Sequence, residues 1–193
     1  MINLNDIYKS YGEKAVLRGV SLHVAPGERV CLTGPSGCGK STLLAIASGT
    51  LAPDSGEVSI HKDARMAYLY QENRLLPWLD ALENITVAGV PADRAMEMLD
   101  KMGLAADARM RPAQLSGGMC RRLAIARALA FGGDIYYLDE PMQGLDADTA
   151  GRVMNVMLDE LRGKTALIVS HIEDEISALA TRTVALAPRE KAE

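Results

Sequence analysis

Apolar positions along the chain follow two rhythms. The runs Val30-Cys31-Leu32, Ile135-Tyr136-Tyr137-Leu138 and Thr165-Ala166-Leu167-Ile168-Val169 are short and continuous, as buried strands require. Between them lie stretches with helical spacing. Lys40 to about Ser48 is one, and Gly49 stops it. Residues 117–131 place Leu123, Ile125-Ala126 and Leu129-Ala130 at apolar positions, with Arg121, Arg122 and Arg127 between them. Asp146 to Leu161 sets Val153, Val156-Met157 and Leu161 on one side, and Gly163 ends it. A short helix over 172–180 and a strand over 182–186 follow. Strands alternating with helices predict an α/β fold, with a mostly parallel sheet covered by helices on both faces.

The first thirty residues break this rhythm. Leu4 and Ile7-Tyr8 predict one short strand, residues 16–24 alternate as a second, and Pro26-Gly27 is a turn. Tyr11 stands between the two strands beside Gly12, either stacking on a purine ring or half-packed on the sheet; the residue alone favours the second. His23 falls at alternation spacing and reads as structural. Pro53-Asp54-Ser55-Gly56 is a turn, followed by strands over Glu57–Ile60 and Met66–Tyr70, with His61 solvated. Residues 71–116 are helical in pattern, over 81–88 and 92–102, where Met96, Leu99 and Met102 share one face and Gly103 is a stop. They predict a small helical insert, about 72–133 with the following helix, between two parts of a sheet domain. The apolar stretch 75–79 holds Trp78. Methionines 96, 98, 102 and 110 read as gap-fillers in a core.

With 193 residues, 48% hydrophobic and 24% charged, the chain suits one ordinary soluble domain with residues 188–193 as a loose tail. The net charge of −4 supplies no basic excess for a nucleic-acid partner. The first residues lack the basic-then-apolar order of a signal peptide, and no run of 18 apolar residues exists. Cys31, Cys38 and Cys120 show no C-x-x-C spacing, which points to a reducing compartment. Cys31 reads as a buried strand residue. Cys38 is either a thiol of lowered pKa or a filler of a variable position, the plainer explanation.

The chemistry collects at a strand-to-helix junction. Gly34-Pro35-Ser36-Gly37-Cys38-Gly39-Lys40-Ser41-Thr42 fits G-x-x-x-x-G-K-[ST], a loop that cradles a nucleoside triphosphate. Its glycines bring backbone N–H groups to phosphate oxygens, Lys40 places a charge on the β- and γ-phosphates, and Ser41 offers a hydroxyl to Mg²⁺. Asp139, at the tip of a buried strand, is the expected magnesium carboxylate. Glu140 diverges from it as a general-base candidate for water. His171 ends another buried strand on the same sheet edge. Ser116 caps a helix that opens with Gly117-Gly118, a second anion site that the insert cannot bring onto its own loop. A second copy of the chain would supply the nucleotide it closes over.

Taken in order, these motifs resemble the ATP-binding-cassette ATPases over nearly the whole chain: the loop 34–42, Gln71 at the sheet-to-insert boundary, the signature 115–119, Asp139-Glu140, Gly144-Leu145-Asp146 and the switch histidine His171. The resemblance implies a P-loop NTPase core with an N-terminal antiparallel β subdomain and a small helical insert. It raises Tyr11 to an adenine-stacking position and makes Gln71 a magnesium and water contact. It also implies a head-to-tail homodimer with two ATP at its seam. Each site takes Lys40, Ser41, Gln71, Asp139, Glu140 and His171 from one chain, and Ser116, Gly118 and Asp146 from the other. Most such proteins drive transport through separate permease subunits, here from the cytoplasmic face of the inner membrane, together with a solute-binding protein.

Leu75-Leu76-Pro77-Trp78 with Met119 is similar to the branch that imports nitrate, sulfonates and taurine, in which a groove beside this stretch receives a short permease helix. The same stretch could equally be insert core. Met119-Cys120, Gly133 and Ile172 depart from the common pattern without changing a phosphate-contacting residue type. A soluble cassette of DNA repair or translation is the alternative; it would usually carry a coiled-coil insertion or a second cassette. A small-molecule kinase would leave 115–119 unexplained.

Overall fold

The computed structural model describes residues 1–186; the tail 188–193 lies outside them. The elements run β1 (Ile2–Tyr11), β2 (Lys14–Val24), β3 (Arg29–Thr33), α1 (Lys40–Ala47), β4 (Ser55–Ile60), β5 (Met66–Leu69), α2 (Ala81–Thr86), α3 (Ala92–Lys101), α4 (Gly117–Ala130), β6 (Ile135–Asp139), α5 (Ala147–Glu160), β7 (Thr165–Val169), α6 (Glu173–Leu179) and β8 (Arg182–Ala185). Single 3₁₀ turns at Ala105–Asp107 and Pro112–Gln114 link α3 to α4.

Two sheets form. β2-β1-β4 is antiparallel, and β5-β6-β7-β3-β8 is parallel throughout. The parallel strands are buried on both faces, so their side chains divide by the period of two. Val30, Leu32, Ile135, Tyr137, Leu167 and Val169 point to one core, shared with α1 and the antiparallel sheet. Cys31, Tyr136, Leu138, Ala166 and Ile168 point to the other, shared with α2–α6. Helices on both faces was therefore half the answer. One face carries helices alone, while the other combines α1 with three strands whose own apolar side would otherwise be wet.

Several local expectations change. The first strand is ten residues long rather than a short one, and β4 begins inside the turn read at 53–56. There Gly56 has φ 101°, and a Cβ on it would lie 2.3 Å from the Asp6 carbonyl oxygen. In α3 the buried face is Ala95, Met98 and Leu99, continued by Met102, the i, i+3, i+4, i+7 set. Met96 stands one residue off that set and is exposed, as is Met110, so only two of the four methionines fill the core. Tyr11 is 54% exposed at the β1–β2 hairpin end rather than half-packed on the sheet.

α4 packs against α2, α3, α5 and β5. Its three arginines each grip backbone carbonyls of other segments. Arg122 donates to Met102 O and Gly103 O, Arg127 donates to Asn73 O and Arg74 O, and Arg121 reaches further still. The arginines that stand between the apolar positions of this helix are thus bolts between segments.

Candidate nucleotide site

All five parallel strands end at one edge, and the pairing β3–β7–β6–β5 brings four strand ends there side by side. Thr33 of β3 runs into the 34–42 loop. Asp139 pairs with Val169 at the ends of β6 and β7, and Leu69 of β5 pairs with Leu138, just before Gln71. A cavity of about 550 Å³ opens on this edge, lined by loop residues from Gly34 to Thr42 together with Gln71, Glu140, Gln143, Val169 and His171.

The loop is built by its glycines. Gly34 has φ 136°, and a Cβ there would lie 2.7 Å from the Leu186 carbonyl oxygen. Gly39 caps α1 at φ 107° with no side-chain cap, and the first intrahelical bond runs from Leu43 N to Gly39 O. The amides of Lys40, Ser41 and Thr42 precede that bond, so a helix N-terminus with free donors faces the cavity. The Lys40 ammonium lies across the loop, donating to Gly34 O at 2.8 Å and Pro35 O at 3.0 Å. Cys38 is buried, with its sulfur 4.0 Å from Lys40 Nζ.

Ser41 Oγ donates to Asp139 Oδ1 at 3.2 Å. Asp139 is 5% exposed, and burial pushes its carboxyl above the ordinary aspartate range, opposed by the Ser41 hydrogen bond. A desolvated carboxylate against a hydroxyl is a pair that a divalent cation relieves. Among the described residues no cluster of three or more His, Cys, Asp or Glu side chains could hold a metal by itself. One buried carboxylate beside one hydroxyl on a phosphate-binding loop is a donor set that fits an ion such as Mg²⁺, which keeps several waters and leans on substrate phosphates.

Glu140 follows Asp139 with φ 47°, the left-handed region, which is uncommon for a residue other than glycine. The turn sends the two carboxylates apart: Asp139 to Ser41, and Glu140 toward His171, whose Nδ1 lies 3.5 Å from Glu140 Oε1. The Glu140 amide donates to Val169 O at 2.8 Å. Next to His171, Ser170 Oγ donates to the buried Glu175 at 2.6 Å, and burial pushes that carboxyl upward.

Ser116, Gly118 and Asp146 do not line this cavity. Ser116 Oγ accepts from Met119 N at 3.2 Å, capping α4. Asp146 caps α5 through Thr149 N at 2.9 Å, and that backbone bond holds its carboxyl below the usual range. A Cβ on Gly118 would sit 3.9 Å from Gly144 O, so the start of α4 stands against the turn that leads into Asp146. Tyr11 does not line the cavity either. Sequence reasoning missed two residues here. Gln143 lines the cavity, and its sole signal was its place four residues past Asp139. Arg121, given no role beyond standing between apolar helix positions, is 3% exposed and bonded to the Asp139 and Glu140 carbonyls.

The ABC transporter family model matches residues 17–143. The aliphatic sulfonates import ATP-binding protein SsuB 2 of Burkholderia cenocepacia is 42% identical over 97% of this chain and 74% of its own length. The lipoprotein-releasing system ATP-binding protein LolD of Maricaulis maris is also 42% identical, over 89% of this chain and 87% of its own. Among solved structures, an ATP-binding cassette in a dimeric post-hydrolysis state bound to ADP and Pi superposes with a TM-score of 0.87. It is 32% identical, over 96% of this chain and 94% of that one. The loop, the paired carboxylates and the shared strand edge carry the same message as these relatives: the chain belongs to the ABC transporter family, as one of its ATP-binding, ATP-hydrolysing cassettes.

Proposed function

We propose that the chain powers solute import as the ATPase half of a transporter, working as a head-to-tail homodimer against separate permease subunits. The carrying observation is that Ser116, Gly118 and Asp146 do not line the cavity their own chain forms, while the start of α4 stands against the turn leading into Asp146. A site with an anion-binding helix end but no nucleotide of its own makes sense when it closes over a partner's.

In each site, Lys40 and the loop amides bind the phosphates. Ser41, Asp139 and Gln71 would hold Mg²⁺, which supplies charge neutralisation on the phosphates when bound. Glu140 orients and deprotonates the attacking water, and His171, beside it, steadies the γ-phosphate. Tyr11, exposed near the loop's side of the fold, offers its ring to adenine. In this reading the permease is a separate chain and this one sits on its cytoplasmic face; among the described residues no helix is long and apolar enough to cross a membrane. Trp78, 64% exposed beside the half-buried Leu75 and Leu76, is not core and supports a permease contact there. A periplasmic solute-binding protein would complete an importer.

The LolD-like match, which spans more of its relative than the sulfonate match does, favours a second reading in which the same engine drives release from a membrane. Glu140→Gln tests the core proposal. It should bind ATP, lose hydrolysis by about 10²–10⁴-fold and accumulate as an ATP-bound dimer. Hydrolysis at the parent rate, or activity from a strict monomer, overturns it. Capture of the co-purifying membrane protein separates import from release.

A further inference from the structure

We infer that Arg121 is a positioning residue for hydrolysis: it sets the stance of Glu140 and Gln71 from the first turns of the signature helix. The inference rests on the proposed roles of those two residues.

Arg121 is buried, and among the described residues it makes no ion pair. Its fork is instead filled by backbone. Nε donates to Pro141 O at 2.9 Å. Nη2 donates to Asp139 O at 3.0 Å and Glu140 O at 2.7 Å. Nη1 donates to Tyr70 O at 2.8 Å, Gln71 O at 3.0 Å and Asn73 Oδ1 at 3.3 Å. One guanidinium thus holds three consecutive carbonyls of the carboxylate turn and two of the segment carrying Gln71.

That arrangement has a specific consequence at Glu140. Its left-handed backbone persists only where the surroundings over-determine it. The Glu140 amide is tied to Val169 O, and Arg121 ties the carbonyls before, at and after it. Without those ties the residue is free to return to an ordinary φ, which swings the carboxylate off the position facing His171. Arg is suited to the task because it is planar, with five donors in a fixed fork; lysine has a single ammonium and glutamine two donors. Burial of the uncompensated cation is costly, and it lowers the affinity of the guanidinium for its proton, with the Asp139, Glu175 and Glu140 charges opposing.

Arg121 lies five residues past Ser116 on one continuous helix. A shift of the helix end that meets the partner's nucleotide therefore passes, through this side chain, to the water-facing carboxylate of its own chain's site.

The test uses the full chain. Arg121→Gln and Arg121→Lys are measured for ATP turnover, with folding checked by thermal melting, and Arg121→Ala is assayed with added guanidinium ion. The expected result is a kcat lower by about 10²-fold with KM for ATP unchanged, since Arg121 touches no loop residue; millimolar guanidinium partly restores turnover in Arg121→Ala. Glu140→Gln should gain nothing from guanidinium. Retention of kcat within about threefold in Arg121→Gln overturns the inference. So does a loss that matches the unfolded fraction and resists guanidinium. Turnover by Glu140→Gln at the parent rate sinks the functional proposal instead, a distinguishable outcome.

Discussion

Tyr137→Phe isolates one bond that aligns Ser41 with Asp139. Tyr137 is fully buried in β6, and its hydroxyl donates to Ala47 O at 2.8 Å. Ala47 is the last residue of α1, whose first turn carries Ser41; Asp139 lies two residues beyond Tyr137. Phenylalanine keeps the ring packed between α1 and the sheet, so no cavity term enters. The loss is one hydrogen bond plus a helix-end carbonyl left dry, about 1–3 kcal/mol. For a chain of this size each kcal/mol moves the melting midpoint by roughly 2–4 °C, so the variant should melt about 2–12 °C lower. Urea titration followed by circular dichroism should show a lower midpoint with an unchanged slope. ATP KM should stay within about twofold, because the backbone pairing of β6 with β7 still carries Asp139. An unmoved midpoint, or a changed slope, would refute the claim that this hydroxyl ties β6 to α1.

Two further substitutions probe the loop and its carboxylate. Gly34→Ala forces φ 136° on an L-residue and drives a Cβ to 2.7 Å from Leu186 O; the strain of about 1–3 kcal/mol should weaken ATP binding by roughly tenfold or more in a fluorescent-nucleotide titration. Asp139→Asn should abolish Mg²⁺-dependent hydrolysis yet raise the melting temperature of the nucleotide-free protein at neutral pH. The sign follows from burial. The folded Asp139 binds its proton more tightly than the unfolded one, so ionisation costs the native state stability as pH rises past the ordinary value of 3.8 and through the raised one. The variant's advantage should be full above that window and vanish below it; a pH-independent difference would contradict the assignment.

Much of this molecule is written locally. The continuous apolar runs at 30–32, 135–138 and 165–169 specify buried strands, and the glycine spacing of 34–42 specifies the phosphate loop, because hydrophobicity and φ/ψ freedom are properties of a few neighbouring residues. Asp139, Glu140 and His171 could be placed at strand ends for the same reason. The methionine face of α3 was misread because a window of eleven residues with apolar groups at 95, 96, 98, 99 and 102 fits two helical registers, and only the α4 surface chooses between them. The stretch holding Trp78 read equally as insert core or as a permease groove, because hydrophobicity says nothing about what stands opposite; in the fold Trp78 faces outward.

What the chain order alone determined, then, was which chemical groups the site presents: a loop fitted to a triphosphate, two adjacent carboxylates at a strand tip, a capped glycine helix. Tertiary structure decided which sheet β4 joins, that one face of the parallel sheet is closed by strands, and that Ser116 and Asp146 stand apart from the cavity. It also decided that Arg121 turns inward to five carbonyls from two distant segments. A hydrogen bond between residues fifty positions apart leaves no local pattern, since either partner alone is compatible with solvent; it exists only once packing has removed the water.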